Sequence, residues 1–288
     1  MSPTALALVL VAAVAHALWN LAARTATGDG GHFVLLYAVG SAVLWTPVTV
    51  VWWVLHDPQP RWSWLLAPSV SGLLHTVYGL VLQRGYRRGD LSLVYPVARG
   101  VGPLVTLVVA VAALGERPAL LGVLGALVVI GGIVLITLPG RHSVSRSRSR
   151  AGLGWGAATG LSIAAYTLWD SHGVTALHVP PLPYFTVSLL VQLLPLGPRA
   201  LRRPADLAAV WHAHRRPVVA VAVLSPLAYV LVLEAMTMAP VALVAATRES
   251  SIVVGALLGT WLLGEPGGAR RTLGAAVVLA GIACVALG

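Results

Sequence analysis

Two stretches decide the reading: Ser92-Leu93-Val94-Tyr95-Pro96-Val97-Ala98-Arg99 and, much later in the chain, Val241-Ala242-Leu243-Val244-Ala245-Ala246-Thr247-Arg248. Laid over each other at the offset that carries Arg99 onto Arg248, they continue without a gap. Leu114-Gly115-Glu116 falls on Leu263-Gly264-Glu265, Gly125 on Gly274, Val128-Val129 on Val277-Val278 and Gly132-Ile133 on Gly281-Ile282. Upstream, Leu18-Trp19-Asn20 matches Leu168-Trp169-Asp170, and Tyr78 to Gln83 match Tyr229 to Glu234, with small slips in the offset. A duplication of about half the chain, in apolar sequence, points to a membrane transporter built from two repeats. The arginine within each copy points to function, because charge inside a bilayer is costly and rarely idle.

Composition places the duplication in a membrane. The 288 residues are 58% hydrophobic and 10% charged, with mean hydropathy +0.86; soluble domains carry about 25% charged residues. All 19 basic residues are arginine, which reflects coding bias and says little about mechanism. A net charge of +10 would suit a nucleic-acid partner. Here the arginines lie in breaks between apolar segments, so membrane topology explains them and no nucleic acid is expected. The single cysteine, Cys284, sits in the last apolar segment and excludes an intrachain disulfide. No Cys/His cluster has zinc spacing, so neither metal nor cofactor is expected. The first apolar stretch is read as a span rather than a cleavable signal, because its nearest positive charge, Arg24, follows it.

A spanning helix needs roughly 20 apolar residues. Ten segments qualify: 3–23, 32–55, 63–83, 91–114, 118–139, 152–172, 182–197, 217–238, 241–263 and 270–287. The seventh is the weakest, being short and preceded by Pro180 and Pro181. Five spans per half is odd, so the second half enters from the opposite side. The expected fold is an all-α integral membrane protein of ten transmembrane helices in two inverted five-helix repeats. Residues 1–140 form the first repeat, 141–151 a basic linker and 152–288 the second repeat. The loops after the first, third, fifth, seventh and ninth spans hold Arg24; Arg84, Arg87 and Arg88; Arg141, Arg146, Arg148 and Arg150; Arg199, Arg202, Arg203, Arg215 and Arg216; and Arg270 and Arg271. The other loops hold Arg61 and Arg117. The arginine-rich side is therefore expected to be cytoplasmic and both termini outside. The Ser-Arg alternation of the linker is read as a topogenic loop near anionic lipid. The segment 204–216 is read as an interfacial helix with Leu207, Val210 and Trp211 facing lipid.

Candidate site residues follow from depth and helical spacing. Arg99 lies roughly 12 Å into its span at 1.5 Å per residue, close to the midplane. Arg248 lies at a similar depth from the other side. Ser92, Tyr95, Arg99, Gly102, Pro103 and Thr106 share one helical face; Arg248, Ser251, Gly255 and Gly259 share the corresponding one. In a continuous helix Glu249 points about 100° away from Arg248, so the two neighbours are not expected to pair. Two readings stand. The guanidinium groups bind a carboxylate or phosphate-like group in a central cavity, or each is neutralised by Asp170, Glu234 or Glu249 and ties helices together. Arg248 is expected to be the more structural, since those acids lie in its own repeat. His16 and Asn20 share a face, as do His75 and Tyr78; Tyr166, Asp170, Tyr229 and Glu234 answer them in the second half. These are cavity residues or interhelical hydrogen-bond partners. Asp170, Glu234 and Glu249 are the candidates for proton coupling. Glu116 and Glu265 are read as turn residues whose carboxylates suit the start of the helix that follows them.

At His16-Ala17-Leu18-Trp19-Asn20, Gly89-Asp90-Leu91-Ser92-Leu93-Val94-Tyr95-Pro96-Val97-Ala98-Arg99-Gly100 and the twice-used Leu-Gly-Glu, the sequence resembles the drug/metabolite transporter superfamily, in its ten-helix EamA-type branch. The resemblance covers nearly the whole chain. It implies two five-helix halves around a central pathway, alternating access, and movement of small metabolites. The second half departs from the motif, with Ala246-Thr247-Arg248-Glu249-Ser250-Ser251 in place of a Pro-containing stretch, so the two sites differ chemically. Family members are usually drawn with both termini inside, opposite to the arginine distribution here.

The expected function is secondary transport of a small anionic or zwitterionic metabolite in a bacterial cytoplasmic membrane, with proton coupling open. One rival is an exporter of cationic drugs that uses Asp170, Glu234 and Glu249 as its binding charges. Another is a non-transporting membrane subunit or lipid flippase. The expected partners are a small-molecule substrate and the lipid bilayer, and a homodimer stays open.

Overall fold

The computed structural model describes residues 1–24, 30–88, 91–137, 146–200, 204–254 and 268–287. Ten helices are found among them: α1 (Pro3–Arg24), α2 (Gly30–His56), α3 (Ser63–Arg88), α4 (Leu91–Ala112), α5 (Leu120–Thr137), α6 (Arg146–Thr175), α7 (Pro181–Ala200), α8 (Pro204–Met236), α9 (Val241–Arg248) and α10 (Gly268–Leu287). The weak seventh segment is a full helix. Pro181 and Pro183 stand in its first turn, where a missing N–H costs nothing. Helix α6 begins at Arg146, inside the stretch read as linker. Gly89, Asp90, Arg141, Gly255, Gly259, Leu263, Gly264 and Glu265 lie outside the described residues.

The helices pack as two copies of one plan. α1 lies on α8 as α6 lies on α3, α2 lies on α8 as α7 lies on α3, and α5 pairs with α10 across the relation between the halves. The sequence offset thus reappears as a two-fold arrangement in space, and five spans per copy make the repeats inverted. At the α5–α10 seam the backbones touch: a Cβ on Gly125 would lie 2.6 Å from the Gly281 carbonyl oxygen, and one on Gly281 would lie 2.7 Å from that of Gly125. Gly132 and Gly274 make a second such approach, within 3.0 Å of each other's carbonyls. Small residues are what let membrane helices approach this closely.

The exterior is apolar, as lipid requires. Val54, Leu55, Leu120 and Leu194 are more than 70% exposed. α8 breaks at His214 (φ −128°, ψ 22°), which separates its first segment from the part that carries Arg215, Arg216 and the span. Trp211 is exposed, but Val210 packs inward on the cluster of Phe33, Val218 and Val221, contrary to the lipid-facing expectation.

α9 also departs from a regular helix. After Arg248 the backbone tightens: Glu249 N–H donates to the Ala246 carbonyl, Ser250 N–H to Thr247, and Ile252 N–H to Glu249. These i to i+3 bonds are the signature of a 3₁₀ turn. Helix resumes at 251–254. The run Glu249-Ser250-Ser251 suits such a break, because short polar side chains compete with the helical ladder.

Candidate functional site

α1, α2, α3, α4, α6, α7, α8 and α9 surround one central cavity of about 370 Å³. Its wall is aromatic, with Trp19, Tyr37, Tyr78, Tyr95, Tyr166 and Tyr229 among its lining residues. It reaches toward Asn20, Leu82, Tyr86 and Gln192, near the helix ends that carry the arginine-rich loops. On the opposite side it is closed by a packed cluster that includes Ala5, Val9, Leu233, Met236 and Leu243. A polar strap crosses the same side. The Glu116 carboxylate accepts hydrogen bonds from the backbone N–H groups of Val241 (2.7 Å) and Ala242 (3.3 Å). The Leu-Gly-Glu motif explains the strap. Gly115 turns the chain at φ +69°, a conformation that suits glycine. That turn delivers Glu116 to the N-terminus of α9 in the other half, rather than to α5, which follows it in sequence.

Both arginines reach the cavity, in unequal ways. Arg99 Nη1 donates to both Glu249 oxygens, at 3.1 and 3.0 Å. Its Nη2 lies 3.5 Å from His16 Nε2, and its guanidinium sits 5.3 Å from the centre of the Tyr95 ring. A guanidinium only donates, so His16 Nε2 is an acceptor there and the ring is neutral. Arg248 Nη2 lies 3.6 Å from Glu249 Oε1. The neighbours therefore do pair, which corrects the expectation from helical spacing: the 3₁₀ turn swings Glu249 back over Arg248. That distance is beyond a hydrogen bond, and no hydrogen bond to the Arg248 guanidinium is found among the described residues. Two guanidinium groups thus share one carboxylate. Arg99 holds it, and Arg248 lines the cavity with its donors unspent. Arg248, expected to be the more structural of the two, makes the longer contact to Glu249, 3.6 Å against 3.0 Å.

The acids divide as well. Glu249 is fully buried behind the arginines. Asp170 is also fully buried and does not line the cavity. Its Oδ1 accepts from Tyr184 Oη at 2.8 Å and its Oδ2 from Tyr229 Oη. His75 Nε2 approaches Oδ2 at 3.9 Å. Glu234 lies near the end of α8 and is absent from the cavity wall. His16, Asn20, His75, Tyr78, Tyr95, Tyr229 and both arginines are gathered on the wall. Asn20 Nδ2 donates to the His16 carbonyl at 2.7 Å within its own helix. Of the predicted face of α4, Tyr95 and Arg99 line the cavity, whereas Gly102 packs against Ile163 of α6 and Thr106 is fully buried on its own helix. Tyr184 escaped the sequence reading, because its role depends on α7 crossing α6, which no local pattern encodes. Among the described residues no group of His, Cys, Asp and Glu is placed to hold a metal ion.

Comparison with known proteins agrees with this architecture. The profile of the EamA-like transporter family matches the chain twice, over residues 3–138 and 150–287. No curated protein matches the sequence. A solved crystal structure, described only as that of a protein, is similar to this chain with a TM-score of 0.77 and 17% identity, over 100% of this chain and 98% of that one. At that identity the likeness speaks to fold alone.

Proposed function

The chain belongs to the EamA-like transporter family, and from the chemistry of its central cavity we propose that it is a secondary transporter of a small anionic or zwitterionic metabolite. The observation that carries the reading is Arg248. Its guanidinium lines the cavity, and Glu249, the acid paired with it among the described residues, is already bound by Arg99. Arg248 keeps only a 3.6 Å contact to a carboxylate that Arg99 also holds, and an incompletely compensated charge in a span is costly. A carboxylate, phosphate or phosphonate group entering the cavity relieves that cost and takes up the planar donor fork. The aromatic wall suits an apolar or planar remainder of the substrate.

The cavity reaches one side and is packed shut on the other, as one half-cycle of alternating access requires. With the arginine-rich loops in the cytoplasm of a bacterial inner membrane, this is the inward-facing half. A cationic-drug exporter is the weaker reading. Such a protein needs a carboxylate offered to the cavity, whereas Glu249 sits behind two arginines and Asp170 behind two tyrosines. A thermal-stabilisation screen in nanodiscs tests the choice, using carboxylates, phosphonates, amino acids and cationic dyes. The reading predicts stabilisation by an anion or zwitterion that disappears in Arg248→Ala. Stabilisation by dyes alone, unchanged in that variant, contradicts it.

A further inference from the structure

We propose that His75 is the proton site of this transporter, taking up one proton on Nε2 together with each anion bound. The inference rests on the anion reading above and identifies the ion that accompanies the substrate and the atom that holds it.

The argument begins with a carbonyl. His75 Nδ1 lies 3.0 Å from the Ser71 backbone oxygen, one turn earlier in α3. A carbonyl only accepts, so Nδ1 carries a hydrogen. The neutral ring then has a bare lone pair on Nε2, and that atom points at Asp170 Oδ2, 3.9 Å away. Asp170 is itself an acceptor, because two phenol O–H groups donate to its two oxygens. Lone pair faces carboxylate across a gap that a single proton on Nε2 turns into an ion pair. His75 lines the cavity with 15% of its side chain exposed, while Asp170 is fully buried behind it. The proton therefore has a path from cavity water to Nε2, and Asp170 acts as a positioning residue.

Among the described residues the groups that face His75 are few, and on α3 itself the Ser71 hydroxyl lies 3.4 Å from Nδ1. α6 presents Tyr166, stacked on His75 with ring centres 4.1 Å apart, and Asp170. α8 presents Tyr229, edge-on at 5.3 Å. From α7 come Tyr184, occupied by Asp170, and Ser188, bonded to Ser71. Tyr78 is on α3 itself. On α4 the charged group is Arg99, engaged with Glu249. His75, Tyr166, Tyr229 and Arg248 line the same cavity.

Charge balance explains the coupling. Arg99 and Arg248 against Glu249 and Asp170 sum to zero, so a proton on His75 gives the cavity wall a net positive charge. One anion then restores neutrality. Each ligand favours the other by the same factor, as linkage demands, and a monoanion crosses with its proton without net charge movement. The proton enters from water, rests on Nε2 as imidazolium, and returns to water on the other side.

Two measurements decide the matter. ¹⁵N NMR of ring-labelled histidine, assigned with His75→Gln, reads the tautomer of neutral His75 without any ligand. The Nδ1–H form is expected; the Nε2–H form leaves no vacancy and overturns the proposal, whatever the protein carries. Binding of benzoate to lightly buffered nanodiscs at pH 7 is then followed with a pH indicator. About one proton taken up per benzoate is expected, with binding at least tenfold weaker and no proton uptake in His75→Gln. Benzoate bound without proton uptake in the wild type overturns the coupling but leaves the anion reading intact. Absence of benzoate binding beside the Nδ1–H tautomer counts against the anion reading and leaves the proton site standing.

Discussion

Arg99, Arg248 and Glu249 form a triad in which removing different members has opposite consequences. Taking away one partner of a buried ion pair costs about 3–5 kcal/mol, because the other charge is left uncompensated. Glu249→Gln strands two guanidinium groups at once, so it is expected to lose most folded protein in a fluorescence-detected size-exclusion assay. Arg248→Ala leaves the Arg99–Glu249 bond at 3.0 Å untouched and is expected to express and elute like the wild type. Equal loss in both variants would contradict the unequal division of labour. The arginines were legible in the sequence because the repeat places one on the other inside apolar stretches. Their pairing was not. It depends on a single 3₁₀ turn after Arg248, and the rule of 100° per residue held only while α9 was assumed continuous. Asp170 was legible as a charge in a span, but its place behind Tyr184 and Tyr229 comes from helices far apart in sequence.

Among the elements, the α5–α10 seam and the Glu116 strap are two of the places where the halves meet. Gly125→Leu pushes its side chain into the backbone of α10, 2.6 Å away at the first carbon. Overpacking of this kind typically costs about 1–3 kcal/mol, and a lowered melting midpoint in nanodiscs is expected. Gly131, on the same helix, meets nothing within 4 Å. Gly131→Ala should leave the midpoint unchanged or raise it, since alanine favours a helix over glycine by about 0.5–1 kcal/mol. If both substitutions act alike, the seam is not where the halves are pinned. Glu116→Ala removes the cap of α9, worth about 0.5–2 kcal/mol. Because that cap closes the face opposite the arginine-rich loops, the variant is expected to expose a cysteine placed at Leu243 to a water-soluble maleimide faster than the parent does. An unchanged labelling rate would mean the strap does not hold the closure. Seven of the ten helices were readable from apolar length to within a few residues; α6 starts early at Arg146, α8 takes in the segment from Pro204, and α9 ends at Arg248. The partner of Glu116 was not readable, since a turn residue gives no hint that it caps a helix of the other repeat.

Over the whole molecule, duplication, membrane and cavity are connected by one argument. A half that crosses the bilayer five times is followed by an inverted copy, and the two copies leave a central space between them, which we propose is a pathway opened from each side in turn. Arg99 and Arg248 meet in that pathway because they occupy equivalent depths from opposite faces. From the arginine distribution we propose that the loops after α1, α3, α5, α7 and α9 face the cytoplasm. A reporter active only in the periplasm, fused after Gly288, is therefore expected to be active, and a fluorescent protein fused there is expected to stay dark. The reverse pattern inverts the orientation while leaving the fold as it is. The central claim is that Arg248 receives an anion in an alternating cavity, and uptake into sealed proteoliposomes tests it most directly. Labelled carboxylates, phosphonates and a cationic dye are offered side by side to wild type and Arg248→Lys. The account predicts that the wild type accumulates an anion or zwitterion and not the dye. It also predicts that Arg248→Lys, though folded, loses at least tenfold of that uptake, because lysine keeps the charge but not the planar fork. Dye uptake by the wild type that survives undiminished in Arg248→Lys would contradict it.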